Sequence, residues 1–295
     1  MSSATSKPAP HTDVFKVIES CLDSDTSGLL EAAVWLSAID RYEHPSREKL
    51  RVPLTHVKEI RAEAVRISRT VDSKGDCITA LQDMLRARFA FRGDRETYDS
   101  PENTDMICVL ERRKGLPVAL AIIVIDILRV VGIGAEGLSF PGHFLLRAYN
   151  GSRSIIIDAF NDFKSLSPAD LRTLAKQVMN PDVELRPIFF EAVDDRTVLY
   201  RLINNIKIRA IRSSDFERAI SILNRLTFLK PGIIHPIHEK ALVQARIGNL
   251  NAAIESIETC LNMVDPSTPT ELVSTLKVLH RRYKNERKLA QKIDI

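Results

Sequence analysis

Residues 114–134 read KGLPVALAIIVIDILRVVGIG, and PGHF follows at 141–144. Residues 116–125 carry no charge in a chain of which 27% is charged, so the run is a membrane span, a buried core helix or the seat of a reactive group. Length argues against the membrane. A span takes about 20 mostly apolar residues, whereas Asp126 interrupts after ten and Arg129 follows on the next turn, a pair that hydrocarbon tolerates poorly. A helix apolar on nearly all sides, with charges near its far end, is a core helix of a globular domain. Gly115 permits a sharp turn before it, Pro117 suits a first turn where no amide hydrogen bond is lost, and Gly132 is the expected stop.

Beyond that helix the period changes to two. GAEGLSF, HFLLRAYN and SRSIIIDAF are short and rich in branched or aromatic residues, with Asn150-Gly151 marking a hairpin. Ahead of it, residues 13–92 are helical in pattern. Val14, Val17, Ile18 and Cys21 share one face, a second helix starts at Leu29 after Ser27-Gly28, and Val57, Ile60, Ala64 and Ile67 mark a third. Asp76 is the expected N-cap of a fourth, and a polar stretch at 91–105 leads to a short helix through Met106 and Leu110. Helices followed by antiparallel strands predict an α+β domain.

From Ser167-Pro168 the chain returns to helix, and NPDVELRP at 180–187 reads as a linker. The last hundred residues repeat. DFERAISILNRLTFLKP at 215–231 and NLNAAIESIETCLNMVD at 249–265 superpose at an offset of 34, placing Ala219 on Ala253 and Leu223 on Ile257, while Pro231 and Pro266 miss that offset by one. A 34-residue period with a small residue at a helix crossing and a proline after the second helix is the tetratricopeptide signature. Two helix pairs bury little alone, so this region is expected to pack on the α+β domain, with 270–284 as a closing helix. The expected divisions are a disordered lead-in at 1–12, an α+β domain with its helical layer at 13–180, a linker at 181–196 and helical repeats at 197–295.

Composition narrows the function classes. Net charge is +4 from 42 basic and 38 acidic residues, only weak support for a nucleic-acid partner, and the basic tail at 280–292 reads mainly as a solvated helix face. Cys21, Cys77, Cys108 and Cys260 lie far apart, with no CxxC pair and no histidine at ligand spacing. Reduced cytoplasmic thiols fit better than a disulfide scaffold or a zinc site, and no cofactor or metal is expected. The start, MSSATSKPAPHTD, has no apolar stretch to serve as a signal peptide.

A glycine turn, a buried helix, a strand from His143 and a strand ending at Asp158 together resemble the transglutaminase-like superfamily. That resemblance implies a papain-like cysteine-protease-type core, in which a cysteine at a helix N-terminus is served by a histidine and an aspartate on following strands. The helix end stabilises a thiolate, the histidine is the base, and the aspartate fixes its tautomer. In that superfamily the cysteine stands about fifteen residues before a Gly-Ile pair; counting back from Gly132-Ile133 reaches Pro117. Leu116, Val118 and Ala119 offer no substitute. FRGDRETY, the asparagine of PENTD, VLERRKGLPVALAI, GLSFPGHFLLRA and IDAF resemble the SirB-type branch of the superfamily across residues 75–265. Ala159 departs from the branch's proline after the aspartate, and Ala119 from its frequent serine.

The resemblance therefore implies a surviving His143/Asp158 pair, a nucleophile position occupied by Pro117, and a cleft rim at Arg113, Gly115 and Gly142. Each residue also has a plainer reading. Pro117 starts a helix, His143 and Asp158 bond for structure, Arg112, Arg113 and Lys114 form a solvated loop, and Cys108 is a buried, inert thiol. Asp126 is expected to pair with Arg129 or Arg147. Three functions compete: a catalytically silent module that binds a protein partner through its repeats or residual cleft, a hydrolase that uses His143 and Asp158 on an amide or ester, and, least favoured by the composition, RNA or DNA binding through the basic tail at 280–295.

Overall fold

The structure, a computed structural model, describes residues 11–23 and 28–293. Most of the expected lead-in at 1–12 lies outside the described residues, as does Ser27. Four helices open the chain: α1 (His11–Leu22), α2 (Leu29–Arg41), α3 (Arg51–Ser68) and α4 (Lys74–Asp83). The N-cap of α4 is Ser73 and not Asp76. Ser73 Oγ accepts from the Asp76 amide at 3.1 Å and donates to the Asp76 carboxylate at 2.6 Å, so the acid sits one turn inside the helix as the partner of the cap. α4 then widens into a π-turn at Met84–Arg88 and breaks at Ala90, whose φ is +55°.

α5 (Met106–Arg112) follows, and then α6 (Pro117–Val130), the quoted helix. All twelve residues from Pro117 to Leu128 are buried, and the helix ends at Gly132 with φ +77°. α6 packs on α2 and α3 and also on strands β3 (Ala135–Leu138) and β4 (Leu146–Asn150). With β5 (Arg153–Asp158), β6 (Lys164–Leu166) and β7 (Ala192–Val193), these form one antiparallel sheet in the order β6-β5-β4-β3-β7. Asn150 pairs with Arg153 across the hairpin, so Gly151 takes the first turn position at φ +62°, as a type II′ turn requires. α7 (Pro168–Val178) opens with a capping box between Ser167 and Asp170, and Leu171 and Ala175 pack with Leu138, Phe140 and Leu145. Within the stretch 181–196, Val183, Leu185, Phe189 and Phe190 join that cluster, and β7 adds the edge strand beside β3.

The buried charge in α6 is bound differently from the sequence expectation. Asp126 takes Arg61 of α3 in a two-point contact at 2.7 and 2.8 Å and accepts the Leu30 amide at 3.2 Å. Arg129 bonds Asp195 at 2.6 and 3.0 Å, and Arg147 bonds Glu136 and the Phe190 carbonyl. Neither expected partner serves Asp126, because the helix turns that carboxylate towards the helical layer, where Arg61 and the start of α2 meet it.

The chain divides into two units, with the boundary between Leu199 and Tyr200. α8 (Asp195–Arg212) crosses that boundary, and α9 (Phe216–Leu229), α10 (Ile234–Arg246), α11 (Leu250–Asn262) and α12 (Thr270–Ile293) complete the second unit. The 34-residue offset governs its backbone as well as its side chains. Asp215 and Asn249 cap α9 and α11 in the same way, each accepting from the amide three residues on. The residues before them, Ser214 and Gly248, both have left-handed backbone, at φ +58° and +80°. Ala219, Ala253, Leu223 and Ile257 are all fully buried, and Leu276 and Tyr283 of the closing helix share a core with Ile237, Ala241 and Ile257.

Ser214 stands in a conformation that the next repeat gives to glycine. Ser214→Gly is expected to raise stability by about 0.5–1 kcal/mol, and Gly248→Ser to lower it by a similar amount. Urea midpoints of the two variants check this; shifts of the opposite sign would contradict it.

Candidate functional site

The polar residues of FRGDRETY and PENTD build the seat for the start of α6. β1 (Arg92–Gly93) runs parallel to β2 (Lys114–Gly115), and the Asp94 amide donates to the Gly115 carbonyl at 3.3 Å. The buried Asp94 carboxylate accepts from Thr97 N–H at 3.0 Å, Thr97 Oγ1 at 2.6 Å and Arg112 Nη2 at 3.1 Å. Burial pushes this carboxyl up, but the bonds from Thr97, Arg112 and Asn103 outweigh that and bring it down to about 2. Asn103, also fully buried, donates to the Thr97 carbonyl at 2.6 Å and accepts from Arg112 Nη1 at 3.2 Å. Its own carbonyl takes the Leu116 amide at 2.9 Å, which fixes the residue before Pro117 where no side chain caps the helix. Asp94 and Asn103 lie in the quoted FRGDRETY and PENTD motifs and Arg112 in the basic run, but local pattern did not predict that they bond one another, since their partners lie across a loop.

The run 112–114 is therefore not a solvated loop. Arg112 is held by Asp94, Glu102 and Asn103, and Lys114 meets Glu96 at 3.5 Å. Arg113 closes α5 with φ +61° and lays its guanidinium 4.9 Å from the Phe91 ring and 5.6 Å from that of Phe89. Burial lowers its pKa, with Glu59 opposing. Among the expected rim residues, Arg113 thus lies on Phe89 and Phe91, Gly115 against Val109 and Ala119, and Gly142, at φ +69°, against Val178.

His143 lies in the bend ahead of β4 and not in the strand itself, because the left-handed Gly142 delays pairing until Leu146. From there its Nε2 reaches within 3.0 Å of Asp158 Oδ1, although the ring is not aligned for a linear hydrogen bond. The His143 side chain keeps 11% of its surface exposed. Asp158 ends β5 and accepts from the Phe160 amide at 3.0 Å, the Asn161 amide at 3.2 Å and Asn161 Nδ2 at 2.6 Å. Burial raises the Asp158 pKa, but His143 and Asn161 more than offset it, and the group is lowered. This carboxylate thus shapes the 158–161 turn as well as facing the histidine.

Phe160 connects the pair to the seat of α6. Its ring stands edge-on to His143 at 6.3 Å and to Tyr98 at 5.8 Å, and the Arg95 guanidinium lies 5.8 Å from it. Arg95 also bonds Asn161 Oδ1. On its other side Phe160 lies over Gly93, where an added Cβ would stand 2.5 Å from the Phe160 carbonyl oxygen and 2.6 Å from the ring. Gly93 pairs with Gly115, two residues before Pro117. Phe160 closes the IDAF motif and Gly93 lies within FRGDRETY, but neither was assigned a role in the sequence, and Asn161 lies just beyond the motif.

The thiols carry no sign of activation. Burial, followed by Asp105, pushes Cys108 up to about 11 against the pull of Arg41, whose Nη2 lies 2.8 Å from Sγ. Cys21 and Cys260 are likewise raised to about 11, chiefly by burial. Among the described residues, no three histidine, cysteine or acidic side chains are grouped to hold a metal, and no helix is long and apolar enough to cross a membrane.

A family model described as transglutaminase-like superfamily matches residues 54–204, and a tetratricopeptide-repeat model matches residues 206–274. A UPF0162 protein of Xylella fastidiosa (strain Temecula1) is 28% identical over 194 residues, covering 65% of this chain and 69% of its own. One from Pasteurella multocida is 26% identical over 231 residues, covering 78% and 86%. F-box only protein 21 of Homo sapiens is 28% identical over 144 residues, which are 46% of this chain and 22% of that protein. Against solved structures, menin aligns with a TM-score of 0.41 at 10% identity over 83% of this chain and 68% of its own, too distant a likeness to argue from.

Two changes test the seat of α6. Gly93→Ala drives a methyl into backbone and is expected to destabilise by about 1–3 kcal/mol. Asp94 is lowered on folding, from 3.8 to about 2, so its contribution is complete above pH 4 and fades as pH falls towards 2. The stability gap between wild type and Asp94→Asn, measured by denaturation, is therefore expected to be widest near pH 7 and to narrow below pH 4; a gap that holds constant would contradict this role.

Proposed function

Because this chain belongs to the transglutaminase-like superfamily, in its SirB-type branch, and continues into tetratricopeptide repeats, we propose that it is a catalytically silent member that works by binding a protein partner. One observation carries the reading. The place where the family resemblance puts a nucleophile is held by Pro117 at the first position of α6, with Leu116, Val118 and Ala119 buried beside it. Proline has no group to ionise, and the aliphatic neighbours supply neither thiol nor hydroxyl. The thiol on the preceding helix, Cys108, is held protonated at neutral pH. The repeats support the binding half of the proposal, since stacked helix pairs present extended surfaces. Four unpaired thiols suit a reducing compartment, and we place the protein in the cytoplasm.

The second reading, a hydrolase in which His143 activates water, is favoured by the 3.0 Å approach of His143 to Asp158. His143→Ala separates the two readings better than a change at Asp158. Removing Asp158 strips the acceptor from two backbone amides and Asn161, and is expected to destabilise the fold by about 1–3 kcal/mol whatever the chemistry.

Under the silent-module reading, iodoacetamide at pH 7 labels the native protein no faster than an ordinary thiol, and the rate is the same in His143→Ala. Rapid, stoichiometric labelling that needs His143 would overturn it. Amide or ester hydrolysis abolished by His143→Ala in a folded protein would establish the hydrolase instead.

A further inference from the structure

A cavity of about 480 Å³ opens between α3 and the π-turn, lined by Glu59, Ala62, Glu63 and Arg66 of α3 with Arg88 and Phe89. That is the size of a small-molecule site. Glu63, its side chain only 9% exposed, takes both of the lining arginines: Arg66 at 2.6 and 2.9 Å and Arg88 at 2.9 Å. Those two cations are already engaged.

Arg113 is not. Its guanidinium lies on Phe89 and Phe91, and among the described residues no carboxylate, carbonyl or hydroxyl accepts from it; Nη1 is buried without an acceptor. Aromatic faces offset its charge but leave the N–H donors of the planar fork unmatched. Its neighbours Arg112 and Lys114 both have acidic partners. Two lining residues tie Arg113 to the cavity: Phe89 carries its guanidinium, and Glu59 is near enough to pull its pKa up against burial without bonding it. Left-handed backbone at Ala90 and Arg113, φ +55° and +61°, flanks this stack. Such conformations are costly for residues with side chains and cluster at ligand sites.

We propose that this cavity binds a small aromatic monocarboxylate, with the carboxylate on Arg113 and the ring against Phe89. The site uses neither His143 nor the missing nucleophile. A guanidinium takes a carboxylate through two parallel hydrogen bonds, and does so best where water is partly excluded. Three arginines against two glutamates leave one positive charge in excess, which suits a monoanion and disfavours a dianionic phosphate beside Glu59. Phe91 is fully buried, whereas Phe89 is half-buried and supplies the aromatic surface that a flat ligand can meet edge-on or offset.

The test is isothermal titration calorimetry of the full-length chain at neutral pH with 2-naphthoate, beside 2-naphthamide and 2-naphthyl phosphate. Saturable binding of one carboxylate per chain is expected, with the uncharged amide and the phosphate each weaker by about tenfold or more. Arg113→Gln removes the fork, and Ala62→Phe fills the cavity from an exposed helix position while leaving Arg113 in place. Each is expected to weaken 2-naphthoate binding about tenfold or more, with Arg113→Lys falling between wild type and Arg113→Gln. Circular dichroism confirms that each variant is folded, and His143→Ala is expected to bind as tightly as wild type. No saturable binding, equal binding of the amide, tighter binding of the phosphate, or indifference to both Arg113→Gln and Ala62→Phe would each overturn the proposal. Binding lost in His143→Ala but kept in both cavity variants would place the ligand at the residual pair and overturn this site.

Discussion

A helix that is apolar on every side has to be enclosed on every side, and α6 sets this requirement for the first unit. No single layer can meet it. α2 and α3 cover one flank and β3 and β4 another, so the helical layer and the sheet exist as partners of one buried rod. Asp126 is the exception inside that rod. Left unpaired it would be strongly destabilising, and its two-point bond to Arg61 with the Leu30 amide fixes both the rotation of α6 and its register against α2 and α3. Breaking the Arg61 contact leaves an unpaired buried charge, so this pairing disfavours other packings of the helix.

The same rod carries the site. Its N-terminus is presented by a small parallel pair, β1 and β2, tied down by Asp94, Asn103 and Arg112. Gly93 in that pair leaves room for Phe160, and Phe160 borders His143. Removing a nucleophile from such an arrangement removes none of its mechanical parts. In our account this is how an active-site framework persists with Pro117 at its head: proline is well suited to a first helical turn and has nothing to activate. The His143/Asp158 contact then has a structural use, because Asp158 also organises the turn that holds Phe160.

Features with a local cause were legible in the sequence. The limits of α6 follow from Pro117 and Gly132, the β4–β5 hairpin from Gly151, and the repeats from a period that recurs in caps, crossings and turn conformations alike. What escaped was set by distance along the chain. Asp126 finds its partner 65 residues upstream, whereas the sequence offered Arg129 and Arg147 nearby. The basic run 112–114 looks solvated until the loop from Asp94 to Asn103 folds back on it. His143 sits in a bend because Gly142 turns left-handed before the strand begins, and Phe160 matters only because Gly93 lies under it. Local pattern located the motifs; the fold gave several of their residues neighbours that no local spacing contains.

The central claim is that a site built for a nucleophile stands ready around a residue that cannot act as one. Restoring a thiol tests it most directly. In Pro117→Cys the account predicts rapid iodoacetamide alkylation at pH 6, from a thiol ionising well below the ordinary value of about 8.5, with the rate falling sharply when His143→Ala is added. Alkylation no faster than that of the native thiols, and unchanged by His143→Ala, would contradict it.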